Sequence, residues 1–428
     1  MTDSPETDVL ASTSSTKRGG ALLASATVSR LADQSASIAL VLVVIARTHD
    51  PRLAGLVVAA FTVPALVTGP VIGAYLDQLR AKRALFAVNQ ATLAAALVGV
   101  VVLAGHAPGA VLIALGLFAG LTAPVLTGGF SSLVPLVVPP GGLRRANALD
   151  AASYNVAGLA GPALVAVIAG AAGAGPALSA VAGIAALGLL LVLAAPMPAT
   201  APGRGPEARR AGPAPAGQAM LGTLGTAVAD GLALLRDVPM LRSTTIATTL
   251  SQLAQGLLPV ALPLLAVRLD HPASAGAWLL TALSGGGLAG SLASSRLLAR
   301  RTAPAVLIAA TAACGICLAA LAAAPGFGPA LALAALAGVA DGPILAATLA
   351  VRQRTVPPDR YAQTAATTAS LKTGAYALGA AAAGLLAGVL TARQLVLLVG
   401  IGQLLALAPF LGRRARWMSS RLGRPVTR

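Results

Sequence analysis

The chain has 428 residues, of which 57% are apolar and only 10% charged, and its mean hydropathy is +0.83. A soluble domain carries about a quarter charged residues, and a disordered chain is charge-rich and poor in apolar side chains; both classes are excluded, and a polytopic membrane protein remains. The net charge of +17 would suggest nucleic acid in a soluble chain, but 3% aromatics serve base stacking poorly, and basic residues on the cytoplasmic face of a membrane protein explain the balance better.

Residues 1–20 form a polar tail that includes Lys17 and Arg18, and an apolar run starts at Ala21. The run continues to about Ile45 and is too long for the apolar region of a cleaved signal peptide; it reads as a first membrane span. Further apolar segments are predicted near 53–76, 84–104, 109–138, 148–170 and 174–195. A second set lies near 244–267, 275–298, 304–324, 328–351, 364–390 and 394–412. Each is long enough for a span of ~20 residues, and their many Gly and Pro residues are tolerated in membrane helices and allow close helix packing. Between the sets, the start of 196–243 is rich in Pro, Gly and Arg and is expected to be flexible. Leu221–Leu241 mixes apolar residues with Asp230, Arg236 and Asp237, which suits a helix on the membrane surface.

The expected fold class is all-α integral membrane: twelve transmembrane helices in two pseudo-symmetric six-helix bundles. The divisions are an N-terminal cytoplasmic tail 1–20, a bundle 21–195, a central cytoplasmic loop 196–243, a second bundle 244–412 and a basic cytoplasmic tail 413–428. Tails and even-numbered loops hold 24 Lys and Arg residues, while odd-numbered loops hold 4, namely Arg47, Arg52, Arg268 and Arg393. That asymmetry puts both termini in the cytoplasm and supports an even number of spans.

The halves also echo one another. Gly69-x3-Gly73-x3-Asp77-x2-Arg80-x-Lys82-Arg83 follows the second segment, and Gly286-x3-Gly290-x3-Ser294-x-Arg296-x3-Arg300-Arg301 follows the eighth. Gly73 and Gly290 are 217 residues apart, and Arg145 and Arg360 are 215 apart. Such duplication is common in transporters, with substrate bound at the interface between repeats.

Gly73-Ala-Tyr-Leu-Asp77-Gln-Leu-Arg80-Ala-Lys82-Arg83 resembles the loop 2–3 signature of the major facilitator superfamily: Gly, three residues, Asp, then a basic cluster. It departs from the usual pattern at Gln78, commonly basic, and at Arg80, commonly Gly. The resemblance covers nearly the whole chain and implies the major facilitator fold. It also implies a cytoplasmic gate at Gly73, Asp77, Arg80, Lys82 and Arg83. In the fifth segment, Gly158-Leu-Ala-Gly161-Pro162 is similar to the motif of proton-antiporting exporters, with Val165-Ala166 in place of the trailing Gly pair. Arg352-Gln353-Arg354 with Pro357-Pro358 resembles bacterial drug and siderophore exporters.

Charge inside a span costs ~2.5–3.5 kcal/mol on insertion scales, so Asp33, Arg30, Asp341 and Lys372 need a reason. Asp33 has two readings: a carboxyl that binds a proton or a cationic substrate, or one half of a static pair with Arg30. Low dielectric disfavours its charged form and a nearby guanidinium favours it, so its protonation would respond to conformation. Asp341 and Lys372 lie at comparable depth, as a switchable ion pair or a permanent one. Asp150 reads as a cap or a surface charge at the start of the fifth segment. Gln34, Phe130, Tyr154, Asn155, Gln252, Gln255 and Tyr376 are candidates for the substrate cavity. Gln252 and Gln255 share a face by their i, i+3 spacing, and each side chain also serves as helix–helix glue.

Other motifs fail in context. Gly285-Gly-Gly287-Leu-Ala-Gly290 fits a dinucleotide fingerprint but lies inside an apolar segment with no strand before it; close helix packing explains it. Cys314-Gly-Ile-Cys317 also lies within a span, where Cys behaves as a small hydrophobe. No Walker A motif exists, and His49, His106 and His271 fall in outer loops. No cofactor, metal or catalytic residue is expected. The expectation is a monomeric, multi-pass transporter of the cell inner (plasma) membrane, working by alternating access with protons and a small-molecule substrate as partners, in the lipid bilayer. Proton-coupled efflux of amphipathic molecules is favoured. The alternatives are a proton-coupled importer or facilitator, or a non-transporting membrane scaffold or enzyme.

Overall fold

The computed structural model describes residues 5–65, 82–121, 143–195, 236–356 and 361–410, together with Phe130, Leu133 and Val138. Among them all regular structure is helical. In chain order the helices are α1 (Pro5–Thr48), α2 (Pro51–Thr62), α3 (Lys82–Leu103), α4 (Gly109–Gly120), α5 (Leu143–Ala172), α6 (Ala174–Ala194), α7 (Pro239–Gln255), α8 (Leu258–Arg268), α9 (Ala275–Arg300), α10 (Ala303–Ala322), α11 (Phe327–Thr355), α12 (Tyr361–Leu386) and α13 (Ala392–Leu405). Ten of the twelve expected segments fall on helices, the seventh on two, while 53–76 and 109–138 are helical over 53–62 and 109–120 and lie largely outside the described residues beyond that. The surface helix expected at 221–241 lies almost wholly outside the described residues.

Among the described residues six helices are individually long and apolar enough to cross a bilayer: Gly20–Thr48 of α1, then α3, α6, α10, α11 and Ala392–Phe410; α7 and α8 together supply another. These two meet at 42°. The cause lies in the sequence: Pro259 has no N–H to donate to the Gln255 carbonyl four residues back, so the ladder stops where α7 ends.

The chain divides into two compact units, Met1–Thr226 and Ala227–Arg428. In the first, α1 packs on α5 and α6, α3 on α6, and α2 on α4. Phe86 and Phe130 cross at 4.4 Å in a core with Leu22, Ala26, Leu133 and Val192. Asp50 caps α2, its carboxylate accepting from the backbone N–H of Arg52 at 2.8 Å and of Leu53 at 3.3 Å. Gly173, at φ 94°, makes the left-handed turn from α5 into α6.

In the second unit α11 underlies both α9 and α10, α10 packs on α13, and α7 packs on α12 and α13. Lipid provides no hydrophobic drive for helix association, so close backbone approach carries much of the packing. Gly286 and Gly290 of α9 face the backbone of Ala335 and Val339, while Gly338 and Gly342 of α11 face Leu283 and Gly287. A methyl group at any of these four would overlap a facing carbonyl. The fingerprint-like glycines thus sit in a helix–helix seam. Gly256 and Gly379 do the same between span seven and α12, against Tyr376 and Leu253.

Candidate functional site

In the first unit the polar residues gather where α1 meets α5. Arg30 is 1% exposed. Its guanidinium donates to the Asp150 carboxylate at 2.8 Å, to the Asp150 carbonyl at 3.1 Å and to the Ser153 hydroxyl. Ser153 in turn donates to the Asp150 carbonyl at 2.7 Å. The guanidinium lies 3.7 Å from the centre of the Tyr154 ring, a cation–π arrangement. This corrects two expectations. Arg30 takes its partner from another helix rather than from Asp33 one turn on, and Asp150 is buried in a charged network rather than a surface cap. Arg30 and Asp33 share a face of α1 by their i, i+3 spacing, yet Asp33 has no ion pair among the described residues.

Asp33 is half-buried and Gln34 exposed. Gly161 lets α5 approach just beyond them: a Cβ there would stand 2.8 Å from the Ser35 hydroxyl and 3.2 Å from its backbone nitrogen. Gly158 faces open space, and Pro162 lies inside α5, where it leaves the Gly158 carbonyl without its usual helical donor. Of the cavity candidates, Tyr154 is engaged by Arg30, and Asn155 is on α5 with its side chain outside the described set. Phe130 is fully buried against Phe86 in the apolar core.

In the second unit Asp341 sits midway along α11 and is half-buried. Its carboxylate accepts from the Gln255 side-chain amide at 2.8 Å. Gln255 is the last residue of α7, so the broken span places this amide. Lys372 and Tyr376 are half-buried on α12, and Gln252 is half-buried one turn before Gln255. The expected Asp341–Lys372 ion pair does not form within 4 Å; Gln255 takes that place, and Lys372 stays within electrostatic reach of both Asp341 and Arg352. Arg352, buried near the end of α11, donates to the Thr368 hydroxyl at 2.7 Å. Sequence reasoning placed Arg352 in the exporter-like Arg352-Gln353-Arg354 run and passed over Thr368.

Of the gate residues, Gly73, Asp77 and Arg80 lie outside the described residues. Lys82 is buried at the start of α3. Arg83 donates to the Ala195 carbonyl at 2.7 Å, where it complements the C-terminal end of α6. Cys314 and Cys317 are both free thiols on α10. Among the described residues no three His, Cys, Asp or Glu side chains are placed to hold a metal ion.

Arg30, Asp150 and Arg352 are thus buried and held by partners, and Asp33 and Asp341 stand half-buried in mid-helix. The family model described as Major Facilitator Superfamily matches residues 22–366. An uncharacterized MFS-type transporter, y4rN of Sinorhizobium fredii, is 28% identical over 373 residues, 85% of this chain and 87% of that protein. Among solved structures, the nucleoside transporter NupG is 14% identical with a TM-score of 0.69, covering 92% of this chain and 98% of that one. A bacterial homolog of the human lysosomal transporter Spinster, inward-facing and unoccupied, is 16% identical with a TM-score of 0.68, covering 94% and 97%. A POT family transporter in complex with 5-aminolevulinic acid is 10% identical with a TM-score of 0.69, covering 92% and 95%. The chain is a multi-pass membrane transport protein and belongs to the major facilitator superfamily.

Proposed function

We propose that this transporter is a proton-coupled exporter of small amphipathic molecules, resident in the inner membrane with both termini in the cytoplasm. The observation that carries this reading is the separation of Arg30 from Asp33. Arg30 is held by Asp150, Ser153 and Tyr154, so the Asp33 carboxyl is available to a proton or a cationic group. An intramembrane carboxyl without a cationic partner is a functional site by default. Asp341 supplies a second carboxyl in mid-helix, and its amide partner on the broken span seven ties its state to that bend. A proton arriving from outside would neutralise one of these carboxyls and release substrate outward. Gln34, Asn155, Gln252 and Tyr376 are the polar contacts we assign to substrate, and Lys372 tunes Asp341. The seam at Gly161–Pro162, similar to the exporter motif, favours efflux over import.

The test is a growth-inhibition panel of toxic compounds in a host lacking its own exporters. Resistance conferred by the wild type and lost in Asp33→Asn establishes export and reveals the substrate class. Normal transport with unchanged pH dependence in the double variant Asp33→Asn, Asp341→Asn overturns proton coupling through these residues. With the protein confirmed in the membrane, absence of any resistance moves the reading to import or facilitated diffusion, which counterflow without a pH gradient then separates.

A further inference from the structure

Helices α9 and α10 both pack on α11 but hardly touch each other. They join at a tight turn around Arg301 and Thr302 and then diverge. The wedge between them is a groove of about 490 Å³. Leu297 forms one wall, Ala305 and Ala309 the other, and Val339 and Pro343 the floor, with Arg301 at the turn. Ala305 and Ala309 lie one turn apart on α10 and share a face. Leu297, Arg301, Ala305, Ala309 and Val339 are all exposed, so the groove opens outward. Among its lining residues Arg301 is the one charge.

We propose that this groove holds one acyl chain of an anionic glycerophospholipid, with the lipid phosphate on Arg301. The lining fits this occupant, being apolar apart from Arg301. The small alanines leave a channel for a chain, where larger residues would fill the wedge themselves. Charge fits as well. Exposed Arg296 and Arg300 stand beside Arg301, no acidic side chain lines the groove, and a basic cluster at this level attracts anionic headgroups. The assignment is independent of what the protein transports.

The test is native mass spectrometry of the full-length protein, purified in detergent and supplied with phosphatidylglycerol or phosphatidylcholine. Wild type retains phosphatidylglycerol preferentially. Arg301→Gln lowers that retention about fivefold, and Ala309→Phe, which fills the channel from an exposed position, lowers retention of both lipids. Each variant is checked for wild-type elution and melting temperature, so a loss of binding is read on folded protein. Equal retention of the two lipids by wild type, or wild-type retention of phosphatidylglycerol by both variants, overturns the proposal. A dimer in the wild type that Ala309→Phe dissolves would give the groove to a second copy of the chain and overturn it equally.

Discussion

Arg30 and Asp150 meet at 2.8 Å between α1 and α5, and this pairing leaves Asp33 outside the ion pair. Removing one partner of a buried pair strands the other charge, at a cost of about 3–5 kcal/mol, whereas replacing both by apolar residues is often close to neutral. Arg30→Leu or Asp150→Leu alone should therefore reduce the yield of folded protein and lower the melting temperature sharply. Arg30→Leu with Asp150→Leu should recover much of that loss. Size-exclusion thermal melts of both singles and the double measure the coupling, and additive losses would show that the pair contributes no interaction of its own.

Asp33 should behave in the opposite way. It has no ion pair to lose, and Asn removes the cost of a charge inside the span, so Asp33→Asn should melt at or above the wild-type temperature. If Asp33 carries the proton, the same variant should lose transport driven by a pH gradient while still exchanging substrate without one. Reconstituted vesicles with and without an imposed gradient separate these results. Gradient-driven uptake at the wild-type rate in Asp33→Asn would move the coupling role to Asp341.

The helical content was legible because an apolar run of span length has few other fates. Where the expected segments are described, they are helical. The bend in the seventh was readable in principle, since Pro259 and Pro263 stand inside it, but periodicity alone does not register a missing donor. The partners of the charges were less legible. Arg30 has an acid three residues later and another 120 residues later, and local spacing favours the first; only the packing of α1 on α5 selects Asp150. Phe130 shows the same limit from the other side, because an aromatic residue in a span reads alike whether it meets substrate or a neighbouring ring. The Gly-rich run of α9 was readable as packing once its dinucleotide context failed, although its seam partners on α11 were not.

The bend between α7 and α8 positions Gln255 against Asp341, and Pro259 causes the bend. Pro259→Ala restores an N–H for the Gln255 carbonyl and should favour a continuous helix, a change that stabilises or costs little in isolation. The Gln255–Asp341 contact should then weaken, and transport should fall with melting temperature held or raised. Gln255→Leu should reproduce the transport defect without altering the bend. A spin-label distance across the break, measured alongside transport in both variants, tests the link. A straightened span with normal transport would show that the bend has no part in the cycle.

The α9–α11 seam offers a contrast within three consecutive glycines. A Cβ on Gly286 would run into the Ala335 carbonyl, whereas one on Gly287 would stand 3.8 Å from the nearest facing atom, the Gly338 carbonyl. Backbone cannot yield as a side-chain tip can, so Gly286→Ala should cost about 1–3 kcal/mol through overpacking. Gly287→Ala should be neutral or stabilise by up to about 1 kcal/mol, because alanine loses less entropy in a helix. Gly290→Ala, facing the Val339 carbonyl, should follow Gly286→Ala. Melting temperatures of the three variants in one detergent decide the matter. Equal tolerance at all three would mean that α9 and α11 can part without loss, and the seam would then hold the helices less tightly than their separation implies.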